Sequence, residues 1–167
     1  DLVVFDLETG RIVKTHRVPG VAGSYSMFFG YDGNLYFCTY TKARLYKYDT
    51  TAIDSPPVQL AELTADGYSY GCLQGPDQAQ ANDPSTKDSD FKAIYFSGTY
   101  TGHLYRYTAA LGLQDLGQIN ALEKYGRYAT RWRHYLLLGT GAVNASITVY
   151  DIAAGKFVTD AAGQVIH

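Results

Sequence analysis

A fourteen-residue segment recurs without a gap, and this internal repeat constrains the fold more than any other feature of the chain. Residues 35–48 read LYFCTYTKARLYKY, and residues 94–107 read IYFSGTYTGHLYRY. Five positions are identical, and the first pair, Leu35 and Ile94, keeps its apolar character. Alternation of apolar and polar residues in both copies favours β-strands. The chain is therefore predicted to contain a repeated β unit.

Weaker copies of the end of this segment lie on both sides of it. Residues 2–6 and 147–151 match residues 45–49, because each shows apolar/polar alternation and places an aromatic residue before an aspartate. The interval is 43 residues from Leu2 to Leu45, and it is the same from Leu104 to Ile147. A longer interval in the middle is explained by an insertion at residues 74–90. This insertion lacks an apolar period and is rich in turn formers, so it is predicted to be a loop.

Within one period, the pattern predicts four strands and the turns between them. Asp32 and Gly33 form a pair that favours a tight hairpin turn. Two prolines in residues 49–57 would interrupt a central strand, so this segment is predicted to be a loop before an edge strand. The predicted strands are residues 25–29, 35–40, 44–48 and 58–63.

The repeat length and strand pattern resemble those of a β-propeller, in which blades of four antiparallel strands surround a central channel. The resemblance covers nearly the whole chain but is architectural, because the Trp-Asp and kelch signatures are absent. It implies an all-β chain with about three and a half blades, as part of a larger, seven-bladed propeller. The remaining blades would come from the same chain or from a second copy. The expected units are a half blade at 1–20 and blades at 21–66, 67–124 and 125–167.

Composition excludes some partners and favours others. The net charge of −2 and the isoelectric point near 6.1 provide no basic field, so nucleic acid is not an expected partner. The apolar runs are too short to span a membrane. Sixteen tyrosines with few lysines are typical of secreted carbohydrate-active proteins, which predicts an extracellular or periplasmic location. Cys38 and Cys72 are interpreted as buried free thiols, with a disulfide between adjacent blades as the alternative.

The propeller resemblance implies that ligands bind where the connections into the first strands meet the loops between second and third strands. His103 and Tyr70 fall on this rim and are predicted as a general base and acid. Lys42, Arg44 and Arg127 fall there too, and such cations bind carboxylates and stabilise a developing enolate. His103 occupies the repeat position of Arg44, so it is open to a second interpretation as an ordinary polar loop residue.

Three more tyrosines of this rim, Tyr25, Tyr100 and Tyr128, are predicted to bind substrate through their ring faces. Aromatic faces suit sugar rings, and cations suit a uronate carboxylate. The sequence therefore predicts a propeller that binds an acidic saccharide or cleaves it by β-elimination, as some propeller lyases do. The alternative is a non-catalytic scaffold that binds a partner protein.

An oxidoreductase that depends on a quinone or metal ranks below both of these functions. The histidines show no short ligand spacing and the two cysteines form no Cys-x-x-Cys pair, so neither a metal nor another cofactor is predicted. Arg131, Trp132 and Arg133 form a second group of interest, which is read either as a cationic–aromatic binding patch or as a polar hairpin turn.

Overall fold

The computed structural model describes residues 1–166; His167 lies outside the described residues. The fold is all-β, as predicted, and consists of four antiparallel sheets. The first sheet has two strands, and the other three have four strands each, in the order in which they follow along the chain.

The strands of the first two sheets are β1 (Leu2–Asp6) and β2 (Arg11–His16), then β3 (Gly23–Phe29), β4 (Leu35–Tyr40), β5 (Ala43–Tyr48) and β6 (Val58–Leu63). The third sheet contains β7 (Cys72–Gly75), β8 (Ala93–Ser97), β9 (His103–Thr108) and β10 (Gly112–Gln118). The fourth sheet contains β11 (Gly126–Trp132), β12 (Tyr135–Thr140), β13 (Ser146–Asp151) and β14 (Lys156–Phe157). A single helical turn, α1 (Gln78–Ala81), and a 3₁₀ turn (Asp88–Asp90) lie between β7 and β8.

The repeated sequence forms the same hairpin twice. Leu35 lies opposite Tyr48 in the β4–β5 pair, and Ile94 lies opposite Tyr107 in the β8–β9 pair. The equivalent residues therefore occupy equivalent ladder positions. A shift of one residue would exchange the two faces of a strand, so the matching apolar alternation specifies the same register in both hairpins.

Consecutive sheets pack against each other through apolar clusters. Phe37 and Tyr46 of the second sheet share a cluster with Leu2 of the first. Further along the chain, buried side chains join the second sheet to the third, and the third to the fourth. These two clusters include Cys38, Leu45, Cys72 and Phe96 in one case, and Tyr95, Leu104, Leu136 and Leu138 in the other. Burying one such side chain contributes roughly 1.5–3 kcal/mol, so these clusters hold the sheets in a sequential stack.

The first strands of the three four-stranded sheets lie side by side. The Cys72 amide of β7 donates a hydrogen bond to Ser26 Oγ of β3 (3.1 Å). On the other side, a Cβ at Gly71 would lie 3.2 Å from the Arg127 carbonyl oxygen at the start of β11. This close approach brings the connections that precede β3, β7 and β11 to one end of the stack.

The insertion predicted to be a loop has more structure than its composition indicates. Its first residue, Gln74, belongs to β7, and α1 follows with a capping box between Asp77 and Gln80. Asp88 then accepts hydrogen bonds from Tyr31 in the β3–β4 turn (3.2 Å) and from Arg131 of the fourth sheet (2.7 Å). Local capping and these two contacts order a polar segment that has no apolar period.

Cys38 and Cys72 are buried free thiols, as predicted. Both belong to the cluster between the second and third sheets, and burial raises the pKa of the Cys38 thiol. Within residues 1–166, none of the helical segments has the length and hydropathy that a membrane-spanning helix needs.

Candidate functional site

Six tyrosines and one arginine converge where the connections into the first strands meet the turns between second and third strands. Five of the tyrosine rings contact one another in a chain across the second and third sheets, and Arg127 links this chain to Tyr125 before the fourth sheet. The tyrosine cluster consists of Tyr25, Tyr40, Tyr68, Tyr70, Tyr100 and Tyr125, with Arg127.

Stacked and edge-on rings build the centre of this cluster. The Tyr25 ring stacks on Tyr40 with 4.5 Å between centroids and lies 4.8 Å from Tyr70. Tyr68 lies parallel to Tyr70 at 6.2 Å and meets Tyr100 edge-on at 5.5 Å. Each such aromatic pair contributes about 0.5–1.5 kcal/mol beyond the area that it buries. The rings therefore form a preorganised surface rather than independent side chains.

Arg127 places a cation on this surface. Its guanidinium carbon lies 4.8 Å from the centroid of Tyr70 and 5.6 Å from that of Tyr125. Nε donates a hydrogen bond to the Gly141 carbonyl oxygen (3.0 Å), which fixes the orientation of the group. Among the described residues, the two Nη groups have no hydrogen-bond partner. They are available for an oxygen ligand, which arginine binds with two parallel bonds.

Two glycines make room for the rings. A Cβ at Gly23 would lie 2.8 Å from Tyr40 Cε1, and one at Gly67 would lie 2.5 Å from Tyr100 Cε2. Contacts this short are closer than carbon atoms tolerate without movement. The absence of a side chain at these two positions therefore sets where Tyr40 and Tyr100 lie.

The cluster presents neutral hydroxyl groups to solvent. Tyr25 and Tyr100 expose about half of their surface, 54% and 50% respectively. Partial desolvation, with the neighbouring tyrosines, raises the pKa of Tyr25, and hydrogen bonding with Tyr68 raises that of Tyr100. Both phenols therefore stay protonated well above pH 7 and can donate hydrogen bonds to a ligand.

The structure brings together only some of the residues predicted from the sequence. Tyr25, Tyr70, Tyr100 and Arg127 share the cluster described above. His103 lies on β9, where its Nδ1 is 2.8 Å from Asp115 Oδ2 on β10. This pair joins the third and fourth strands of the third sheet and leaves Nε2 outside the hydrogen bond. Within residues 1–166, no hydrogen bond or ring contact joins His103 to Tyr70, and the ring nearest to it is that of Tyr105 (6.2 Å between centroids).

Arg44 forms its hydrogen bonds with residues outside the tyrosine cluster. Its Nε donates to Glu62 Oε2 (2.8 Å) on the adjacent strand, and Nη1 donates to the Pro19 carbonyl oxygen (3.2 Å). The nearby Lys42 is exposed, and its charge helps to lower the pKa of Glu62, although the hydrogen bond from Arg44 is the main cause. Sequence reasoning overlooked the β5–β6 pairing that places Glu62 opposite Arg44.

Tyr128 extends from β11 with 70% of its surface exposed and is not part of the ring contacts that form the cluster. Conversely, sequence analysis did not single out two buried carboxylates beside the cluster, Asp66 and Glu123. A signal for them was present, because each precedes a cluster tyrosine by two residues, in Asp66-x-Tyr68 and Glu123-x-Tyr125.

A separate cavity of about 800 Å³ opens at the opposite end of the second and third sheets. Its lining includes Tyr31, Tyr36, Lys47 and Phe91 but none of the predicted site residues. No group of three or more His, Cys, Asp or Glu side chains within residues 1–166 is arranged to hold a metal ion.

Comparison with models of known protein families finds none that matches this chain. A search of curated proteins likewise finds no significant match.

Proposed function

We propose that this chain forms part of a β-propeller whose tyrosine cluster binds an acidic, uronate-containing saccharide. The observation that carries the proposal is the Arg127 guanidinium, which lies over Tyr70 and Tyr125 with both Nη groups open to a ligand. The guanidinium can bind a carboxylate, and the two tyrosine rings beside it provide aromatic faces on the same surface.

The sheet organisation supports the propeller part of the proposal. Each four-stranded sheet is a meander, successive sheets stack in chain order, and their first strands lie together. The two strands of the first sheet correspond to the outer strands of a blade, since residues 2–6 match residues 45–49. Met27 and Phe29 of β3 are 57% and 72% exposed. They line two surface pockets that also include residues of β1, so an apolar face is exposed between the first and second sheets. An inner strand pair, from further blades of the protein or from a second copy, would cover this apolar face.

The chemistry of the cluster supports an acidic sugar as its ligand. Tyrosine faces pack against the apolar faces of sugar rings, and neutral phenols donate to ring hydroxyls and carboxylate oxygens. Arg127 would receive the uronate carboxylate, because the planar guanidinium matches its two oxygens. Saccharides of this kind occur mainly outside the cytoplasm, which agrees with the extracellular or periplasmic location expected from the sequence.

The geometry favours binding over catalysis. A general base must lie within hydrogen-bond reach of the proton that it removes. Nδ1 of His103 is bound to Asp115, and no contact joins its ring to a cluster tyrosine in residues 1–166. β-Elimination at the cluster would therefore depend on one of the cluster tyrosines, such as the predicted Tyr70. We therefore propose saccharide recognition as the primary activity and treat lyase activity as a second outcome of the same experiment.

Calorimetric titration with trigalacturonate and with neutral cellotriose tests the proposal. The wild-type protein should prefer the acidic sugar, and Arg127→Gln should weaken its binding by about tenfold or more, the effect of losing about 1.4 kcal/mol. Arg11→Gln, on exposed β2, is the matched control and should bind normally. Equal binding of the two sugars, or an unaffected Arg127→Gln variant, would contradict the proposal. Ultraviolet detection of unsaturated uronate in the same samples reports lyase activity.

A protein-binding scaffold is the second candidate function. The half-exposed rings of Tyr25 and Tyr100 favour it, because rigid tyrosines in preformed clusters are common energetic centres of protein interfaces. This alternative predicts no heat with either sugar. It also predicts that Tyr25→Ala abolishes capture of a partner protein while leaving the fold intact.

A further inference from the structure

Asp66 lies in the connection between β6 and β7, where it is only 6% exposed. Its Oδ1 accepts hydrogen bonds from the amides of Tyr100 (2.7 Å) and Thr101 (2.9 Å). Its Oδ2 accepts from Thr101 Oγ1 (2.9 Å) and the Tyr105 hydroxyl (3.2 Å). A Cβ at Gly98 would overlap this carboxylate, so the β8–β9 turn is shaped around it. Asp66 thereby fixes the turn that carries Tyr100 of the cluster.

Glu123 fixes the corresponding turn of the fourth sheet, between β12 and β13. Its Oε1 accepts from the amides of Lys124 (3.0 Å) and Tyr125 (3.1 Å). Its Oε2 accepts three more amide hydrogen bonds, at 2.9–3.2 Å, from consecutive residues of the β12–β13 turn, Ala142, Val143 and Asn144. Five backbone donors therefore surround one buried carboxylate.

The two carboxylates belong to equivalent backbone arrangements. The Tyr68 carbonyl accepts from the Thr99 amide (3.2 Å), and the Tyr125 carbonyl accepts from the Gly141 amide (3.0 Å). In each case the tyrosine carbonyl accepts from a turn residue, Thr99 or Gly141, and the acid two positions earlier accepts from the residues that follow it. The same acid-x-tyrosine unit thus recurs in the third and fourth sheets.

We propose that these two units are positioning elements for the ligand surface, with Asp66 and Glu123 as the positioning residues. Asp66 acts through the turn that carries Tyr100. Glu123 acts through Tyr125 and through the turn whose Gly141 carbonyl orients Arg127. The consequence for ligand binding rests on the proposed saccharide function, whereas the consequence for turn geometry does not.

The two carboxylates accept from different kinds of donor, so replacing each acid by its amide should have a different effect at Asp66 and at Glu123. In Glu123→Gln, either orientation of the new amide points its NH₂ group at backbone N–H donors, because both carboxylate oxygens accept only from amides. In Asp66→Asn, the oxygen can keep the two backbone donors while the NH₂ group faces the hydroxyls of Thr101 and Tyr105, which can also accept. Glu123→Gln should therefore loosen its turn, and Asp66→Asn should not.

Hydrogen exchange of the two turns, combined with trigalacturonate titration, tests this inference. Glu123→Gln should accelerate exchange at residues 142–144 by at least about tenfold and reduce the preference for the acidic sugar by about tenfold. Asp66→Ala should accelerate exchange at Tyr100 and Thr101 by at least about tenfold, whereas Asp66→Asn, which keeps an acceptor for both amides, should do so by less than about threefold. Glu123→Asp keeps the charge and should restore part of both losses, which keeps the test informative if Glu123→Gln folds poorly.

The outcomes separate this inference from the proposed function. Unchanged exchange at residues 142–144 in Glu123→Gln would overturn the positioning role. Accelerated exchange with an unchanged sugar preference would overturn its link to the ligand. If the wild-type protein binds neither sugar, the proposed function fails, and the exchange data together with near-ultraviolet circular dichroism of the tyrosines still decide whether the units set the cluster geometry.

Discussion

Replacement of Asp66 by alanine should be among the most destabilising changes outside the apolar clusters. The substitution removes the acceptor of four hydrogen bonds in a buried site. Thr101 Oγ1 and the Tyr105 hydroxyl already lie 3.2 Å apart and can bond to each other. The amides of Tyr100 and Thr101 have no such alternative and would be left unsatisfied.

The expected magnitude follows from these two orphaned donors. Each buried, unsatisfied donor costs about 1–3 kcal/mol, so Asp66→Ala should reduce the free energy of unfolding by about 2–6 kcal/mol. For a chain of this size, 1 kcal/mol shifts the melting temperature by about 2–4 °C, which gives a decrease of roughly 6–12 °C for a loss of 3 kcal/mol. Asp66→Asn retains an acceptor for both amides and should cost about 1 kcal/mol or less.

Urea denaturation followed by circular dichroism measures both variants. The midpoint should fall strongly in Asp66→Ala and only slightly in Asp66→Asn, with an unchanged slope of free energy against urea concentration. Asp160→Ala, at an exposed turn near the end of the chain, serves as the control. If alanine and asparagine destabilised the protein equally, or if neither did, the hydrogen-bond reasoning would be refuted.

Gly67→Ala should displace the Tyr100 ring, since the new Cβ would lie 2.5 Å from Cε2, and should weaken trigalacturonate binding about tenfold in a calorimetric titration; normal affinity would contradict the packing argument. Backbone hydrogen bonds, chiefly from the β12–β13 turn, lower the pKa of Glu123 from 4.5 to about 2, so its stabilising contribution should be complete above pH 4.5 and be lost as the pH falls towards 2. Thermal melts across this pH range should show that slope, and Glu123→Gln should lack part of it. Burial, with the hydrogen bond to Asp32, raises the pKa of Tyr36 to about 12, so stability should decline as the pH rises from 10 to 12. Burial raises the pKa of Tyr105 to about 12 as well, so the late tyrosine phase of a spectrophotometric titration should become smaller, but not disappear, in Tyr36→Phe.

The repeat allowed the strand hairpins to be predicted well. Strands β4 and β6 match their predicted ranges, and β5 begins one residue earlier than predicted. Strand position depends on short-range alternation and on turn residues such as Asp32 and Gly33, which the sequence displays directly. The insertion was predicted less well, because α1 and the contacts of Asp88 arise from a local cap and from partners more than 40 residues away.

The candidate site was predictable only in part. Tyr25, Tyr70, Tyr100 and Arg127 were singled out by their place in the repeat, and they lie together. The hydrogen bond between His103 and Asp115 was not predicted, because it joins side chains of adjacent strands that are 12 residues apart in the sequence. Cross-strand pairing of this kind cannot be read from the loop in which a residue falls.

Local sequence patterns are sufficient to specify an all-β chain built from repeated hairpins, because alternation and turn chemistry act over a few residues and need no distant partner. Which polar side chains have hydrogen-bond partners within the protein, and which are available to a ligand, depends on the tertiary structure. Stacking of the sheets joined tyrosines from separate repeats into one surface and left the Arg127 Nη groups without a hydrogen-bond partner in residues 1–166. The same packing buried Asp66 and Glu123, where a carboxylate persists only because several donors replace its lost water.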